Sequence, residues 1–195
     1  MNNYKKAEKK VIESSYSIKS LKTLEGREGL IINANLYFKN KKIASVLDSG
    51  NGGCLDIDYE KVLGHDHYRT APKHLLDFLE SLPSYTMKEM GIDSFREDEP
   101  NQMNDEDFCN ILIYHKLDQQ DFNKLLKKVS VITADDKVES YKAKASDLNK
   151  MFDFKEGLMT FRDYVLNEKS VKLILNDVAL KDGISEAFDI YLQHR

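Results

Sequence analysis

Residues 30–38 read Leu-Ile-Ile-Asn-Ala-Asn-Leu-Tyr-Phe, and this stretch constrains the fold more than any other. Leu30, Ile32, Ala34, Leu36 and Phe38 fall on one side of an extended chain, with Ile31, Asn33, Asn35 and Tyr37 on the other. Alternation with a period of two over a full strand length describes a strand with one buried and one wet face. Lys39-Asn40-Lys41-Lys42 then reads as a hairpin turn, Ile43 to Asp48 as a strand, Ser49-Gly50-Asn51-Gly52-Gly53 as a second turn and Cys54 to Tyr59 as a further strand. Upstream, Tyr16 and Ile18 begin an alternating run that ends in the turn Glu25-Gly26-Arg27-Glu28-Gly29. Connections this short join antiparallel neighbours, so residues 15–59 are expected to form a β-meander.

Helices are expected around it. Residues 4–14 form a short one, with Ala7 and Val11 on one side and lysines elsewhere. Thr70 is placed to cap a second, with Pro72 in its first turn. Its stripe of Leu75, Leu76, Leu79 and Leu82 would cover the meander, and Pro83 stops it. Residues 84–104 read as a polar, acidic surface loop with a short turn of helix. Asn104 caps a helix carrying Phe108, Ile111, Leu112 and Tyr114, and Asp118 is placed to recap it before Phe122, Leu125 and Leu126. In the last third, Val129–Thr133 and Val138–Tyr141 flank an Asp135-Asp136 turn as a hairpin. A helical region is expected from Ser146 through Met151, broken near Gly157 and resumed to Leu166, then a strand Val171–Leu175 and a helix Ser185–Leu192. The fold class is therefore α+β. An antiparallel β-meander covered by helices occupies residues 1–128, followed by a smaller αβ unit over 129–195 that either stands apart or joins the same domain.

Charge divides unevenly. Residues 1–47 carry ten basic and four acidic groups, so with a net charge of −4 the remainder is strongly acidic. Its densest acidic stretch holds Glu89, Asp93, Glu97, Asp98, Glu99, Asp105, Glu106 and Asp107. Such polarity steers encounters with charged partners, and it also occurs on ordinary solvated surfaces. Two cysteines, Cys54 and Cys109, are too few and too scattered for a disulfide framework. With no apolar segment after the lysine-rich start and none long enough to span a bilayer, a cytoplasmic protein without membrane association is expected.

Several residue groups invite chemical readings. Val46-Leu47-Asp48-Ser49-Gly50 has the apolar-apolar-Asp-Ser-Gly form of aspartic proteases, but that chemistry needs two carboxylates sharing a proton and the pattern occurs once. Turn chemistry explains the same residues, because the glycines supply positive φ. Asp56 and Asp58 share a strand face with Cys54, and His65 and His67 follow. Together they offer the runner-up reading, a metal- or nucleotide-dependent enzyme, although no established ligand spacing is met. A third reading, nucleic-acid binding, rests on Lys5, Lys6, Lys9 and Lys10 with Tyr4, Tyr16, Tyr37 and Phe38 interleaved in the basic third. His74, His115 and His194 stand isolated in sequence, and no nucleophile motif accompanies them.

The segments Glu25–Gly29, Asn33-Ala34-Asn35-Leu36-Tyr37, Lys41-Lys42 and Asp48-Ser49-Gly50-Asn51-Gly52-Gly53 resemble a group of short uncharacterised proteins carried by phages and prophages. The resemblance covers about residues 25–59, and Asn40 stands where those proteins usually place a turn glycine. It implies no activity, cofactor or site residue. It does imply a setting, since small accessory proteins of mobile elements often bind and redirect a host protein, immunity proteins included. The expectation is a non-catalytic interaction protein that binds a host or defence protein and needs no cofactor or metal. Its expected contact residues are Asn33, Asn35 and Tyr37 on the wet face of the meander, and Glu97, Asp98, Glu99, Asp105, Glu106 and Asp107 in the acidic segment.

Overall fold

A computed structural model describes residues 1–60, 70–93, 98–168 and 170–195. The chain divides into two units, Met1–Lys116 and Leu117–Arg195. The class is α+β, as the patterning requires.

The first unit opens with helix α1 (Asn3–Ile12), capped by the Asn2 side chain and burying Ala7 and Val11. Strands β1 (Tyr16–Glu25), β2 (Leu30–Phe38), β3 (Lys41–Asp48) and β4 (Asp56–Tyr59) follow. They form one antiparallel sheet in the order β1-β2-β3-β4, the meander expected from the alternation. The β2–β3 connection is a two-residue loop in which Lys39 and Asn40 both take positive φ, 46° and 68°. That mirror-image turn matches the right-handed twist of the flanking strands. Strand β4 begins two residues later than the sequence indicated, because Leu55 donates its N–H to Glu106 and not to a neighbouring strand.

Ile18, Ile32, Ala34, Leu36, Ala44, Val46 and Tyr59 form the buried side of the sheet. Helix α2 (Lys73–Glu80) contributes Leu75 and Leu79 to the core of this unit, joined by Leu82 beyond its end. Leu76, expected in that stripe, is 45% exposed. Pro72 itself occupies the N-cap position, in place of Thr70, and supplies its carbonyl to Leu75 and Leu76. The described residues of the acidic segment include regular structure. Strand β5 (Tyr85–Thr86) pairs with β6 (Pro100–Asn101), and a 3-10 turn spans Lys88–Met90. Helix α3 (Asp105–Leu125) is capped by Asn104, whose Oδ1 accepts from the Asp107 N–H at 2.7 Å.

Helix α3 continues through Asp118, where a recapping break was expected. Asp118 is only 8% exposed and pairs with Arg195, so a carboxylate that reads as a cap is a buried tertiary anchor. In the second unit, β7 (Lys128–Thr133), β8 (Val138–Lys144) and β11 (Val171–Ile174) form an antiparallel sheet in the order β11-β7-β8. The region expected to be helical from Ser146 holds a single 3-10 turn at Ala145–Asp147 and then a hairpin, β9 (Met151–Phe154) with β10 (Gly157–Thr160). Gly157, at φ 112°, takes a backbone shape open to glycine and turns that hairpin. Helices α4 (Phe161–Asn167), α5 (Leu175–Lys181) and α6 (Ile184–His194) complete the unit, α5 being unexpected from the sequence. Among the described residues Phe122, Ala187, Phe188 and Tyr191 pack as one buried cluster of this unit, and Val129, Val131, Leu148, Val165 and Ile174 as another. Among the described residues no helix is long and apolar enough to cross a membrane.

Candidate binding face

The meander has a second face, and the described residues leave much of it exposed. The strand pairings lay out its rows. One runs Lys19, Asn35, Ser45, Asp58 across β1, β2, β3 and β4; the next runs Lys22, Asn33, Leu47, Asp56. A third begins Ser17, Tyr37, Lys42.

Simple alternation would put Lys19 and Lys22 on opposite faces. A bulge between them, with Ser20 at φ 53°, inserts one extra residue and returns Lys22 to the open side. A similar irregularity between Leu36 and Tyr37 lets Ile43 and Ala44 both be buried while Lys42 pairs with Tyr37.

The three meander residues singled out by sequence, Asn33, Asn35 and Tyr37, do lie together on this face, in adjacent rows of β2. Asn33 is exposed, and Asn35 and Tyr37 are half-buried. The Lys19 ammonium sits 4.7 Å from the Tyr37 ring centroid and donates to Asn40 Oδ1 at 3.0 Å. At one end the face turns apolar. Leu24 lies opposite Ile31, and Leu47 opposite Asn33, with Leu24 67% and Leu47 41% exposed.

The glycine-rich segments explain how Ile31 is held there. Gly26 donates to the Gly29 carbonyl at 2.8 Å, closing the β1–β2 turn. Asp48 accepts the Gly50 N–H at 2.8 Å, so this carboxylate is spent on turning its own loop. A Cβ on Gly26 or on Gly50 would fall 3.0 Å from Ile31 Cγ1, and one on Gly50 would also lie 3.1 Å from the Gly29 oxygen. The two loops therefore close around Ile31 because neither carries a side chain at the contact. Gly50→Ala is expected to cost about 1–3 kcal/mol, since φ is 69° and the new methyl meets backbone. A chemical-denaturation midpoint within error of wild type would contradict this packing.

The acidic candidates separate into two groups. Asp98 and Glu99 are exposed, with Lys88 3.9 Å from Asp98. Glu97 lies outside the described residues. Asp105, Glu106 and Asp107 form the first turn of α3, where negative charge suits the helix dipole. All three are half-buried and engaged within the first unit. Asp105 accepts from the Tyr59 hydroxyl at 2.9 Å, Glu106 from the Leu55 N–H at 3.0 Å and Asp107 from the Tyr85 hydroxyl at 3.1 Å. One helical turn thus grips both ends of the β4 region and β5. Burial raises the Asp107 carboxyl above its usual range, and burial with the neighbouring carboxylates holds the Tyr59 and Tyr85 phenols well above theirs.

The other candidates fall as follows. Asp56 is exposed and Asp58 half-buried on the open face, while Cys54 is an exposed thiol; His65 and His67 lie outside the described residues. Among the described residues no group of three or more His, Cys, Asp or Glu side chains is placed to hold a metal ion. Cys109 is buried, which pushes its thiol up to about 12. Of the aromatics read with the basic third, Tyr4 packs edge-on against Tyr85, Tyr16 is buried and Phe38 stacks on His74; Tyr37 alone of the four lies on the open face. Burial lowers the His74 imidazole, which sits beside the Tyr16 hydroxyl at 2.8 Å.

The sequence did not reveal Lys22, Leu24 and Leu47 as members of this face. Leu24 and Leu47 carried a usable signal, being apolar residues in step with polar ones, whereas Lys22 depends on the bulge. In comparisons with protein-family models, curated proteins and solved structures, the chain matched none.

Proposed function

We propose that this chain is a non-catalytic interaction protein whose contact surface is the open face of the meander. The observation that carries the reading is the make-up of that face. An apolar end formed by the exposed Leu24 and Leu47 with half-buried Ile31 adjoins Asn33, Asn35, Tyr37 and Ser45, with lysines on β1 and aspartates on β4 at the flanks. Apolar side chains beside polar, hydrogen-bonding ones on one exposed surface are what protein–protein contact surfaces combine. The resemblance to phage and prophage accessory proteins supports a host or defence protein as the partner, bound in the cytoplasm. Exposed Asp98 and Glu99 would add steering, while Asp105, Glu106 and Asp107 serve the fold.

Affinity capture from the cell that carries this gene tests the reading. Leu47→Asp, on an exposed position, is expected to reduce recovery of specifically bound protein at least about tenfold with no loss of folded signal. Reversing Asp98 and Glu99 to Lys is expected to slow association more than it speeds release. Undiminished capture by Leu47→Asp would remove the face from the reading. Stoichiometric divalent metal lost on Asp56→Ala would favour a metal-dependent enzyme instead.

A further inference from the structure

The charges at the two edges of the open face are complementary to their own reverse. Across the row Lys22, Asn33, Leu47, Asp56 the charge runs from positive on β1 to negative on β4. A two-fold axis parallel to the strands, passing between β2 and β3, lays this row over its own reverse. Lys22 of one copy then meets Asp56 of the other, and Asn33 meets Leu47, each contact occurring twice. The same operation sets Asn35 over Ser45, an amide over a hydroxyl that can exchange a hydrogen bond. Aligned sheets pack face to face within about 30° of parallel, so the rows stay in register over a sheet this narrow.

Resting on the reading that this face is the contact surface, we infer that its first occupant is a second copy of the chain, and that an external partner binds by competing with this dimer. Two features select that occupant. Both Lys22 and Asp56 are exposed, and they stand at opposite edges of one row, as an isologous interface requires. The bulge at Ser20 is what brings Lys22 to that edge, so a departure from regular pairing places the charge the symmetry needs. A four-stranded face spans only about 19 Å at ~4.8 Å per strand, small beside standard interfaces. The dimer is therefore weak, with dissociation expected in the range of about 1–100 µM. A weak dimer suits a face that must later be released to a partner.

Sedimentation equilibrium of the full chain tests this between about 5 and 500 µM, the range set by that expected affinity. Wild type is expected to shift from monomer to dimer, less readily at high salt. Lys22→Glu and Asp56→Lys each place like charges together twice, and each is expected to weaken the dimer at least about tenfold. Combined, they restore opposite charges and are expected to recover the dimer to within about threefold of wild type. Circular dichroism melts of the single variants, both at exposed positions, verify folding. A wild-type monomer throughout, single variants that dimerise normally, or a combined variant as weak as the singles would each overturn the inference. Capture with Leu47→Asp separates the two readings. If wild type is monomeric yet Leu47→Asp abolishes capture, the self-association falls and the contact face stands. If the charge swap behaves as expected while capture is unchanged, the dimer stands and an external partner on this face falls.

Discussion

Phe108→Ala is expected to lower the stability of the first unit by about 3–5 kcal/mol, with a melting temperature roughly 10 °C or more below wild type. The side chain is fully buried. Its ring meets Tyr16 edge-on at 5.1 Å and 88°, and Phe78 at 6.0 Å and 71°. Tyr16 also packs against Phe38 at 4.8 Å, and Phe38 stacks on His74 at 4.3 Å. One ring on α3 therefore backs an aromatic cluster contributed by β1, β2 and α2. Removing it forfeits the transfer energy of the ring, its aromatic contacts and the packing of neighbours that cannot collapse into so large a void. Phe108→Leu, which keeps most of the volume, is expected to cost about 1–2 kcal/mol. Denaturant melts of both variants check this; a loss below about 1 kcal/mol for Phe108→Ala would mean the cluster does not depend on that ring.

What the sequence made legible follows from which interactions are local. The Leu30–Phe38 strand was readable because one buried face imposes a period of two on the residues themselves. The hairpin turn read at Lys39–Lys42, which the structure narrows to Lys39-Asn40 with Lys41 and Lys42 in β3, and the Asn104 cap were readable because each works within a few residues. Interactions across long separations were hidden. Asp105, Glu106 and Asp107 read as surface charge, yet their partners Tyr59, Leu55 and Tyr85 lie 46, 51 and 22 positions away. Asp118 resembled a cap because its partner Arg195 is also distant in sequence. The apolar run Met151, Phe152, Phe154 suits a helix or a strand equally by composition, and the turn at Gly157 decided it. For the candidate face, Asn33, Asn35 and Tyr37 came directly from alternation. Lys22 did not, because a bulge breaks the parity on which such counting relies.

In the second unit, Asn176→Ala is expected to cost about 3–5 kcal/mol, out of proportion to the few atoms removed. Asn176 is 5% exposed in the first turn of α5. Its Oδ1 accepts the Ser130 N–H at 2.8 Å, and its Nδ2 donates to the carbonyls of Leu126 and Lys128, each at 3.0 Å. One amide thus satisfies three backbone groups around the passage from α3 into β7, where neither helix nor sheet provides all their partners. Alanine leaves the buried Ser130 N–H without this acceptor and takes a donor from the part-buried Leu126 and Lys128 carbonyls, and the penalty for an unmet buried donor exceeds the net gain from a met one. Asn176→Asp keeps the acceptor but has no donor for the two carbonyls and faces them with negative charge, so it is expected to be no milder than alanine. Hydrogen exchange gives the sharpest readout. The Ser130 amide is expected to lose protection in both variants, together with the amides of β7. If Ser130 kept its protection in Asn176→Ala, another group would have to supply that acceptor, and the staple at Asn176 would not be what fixes the entry into β7.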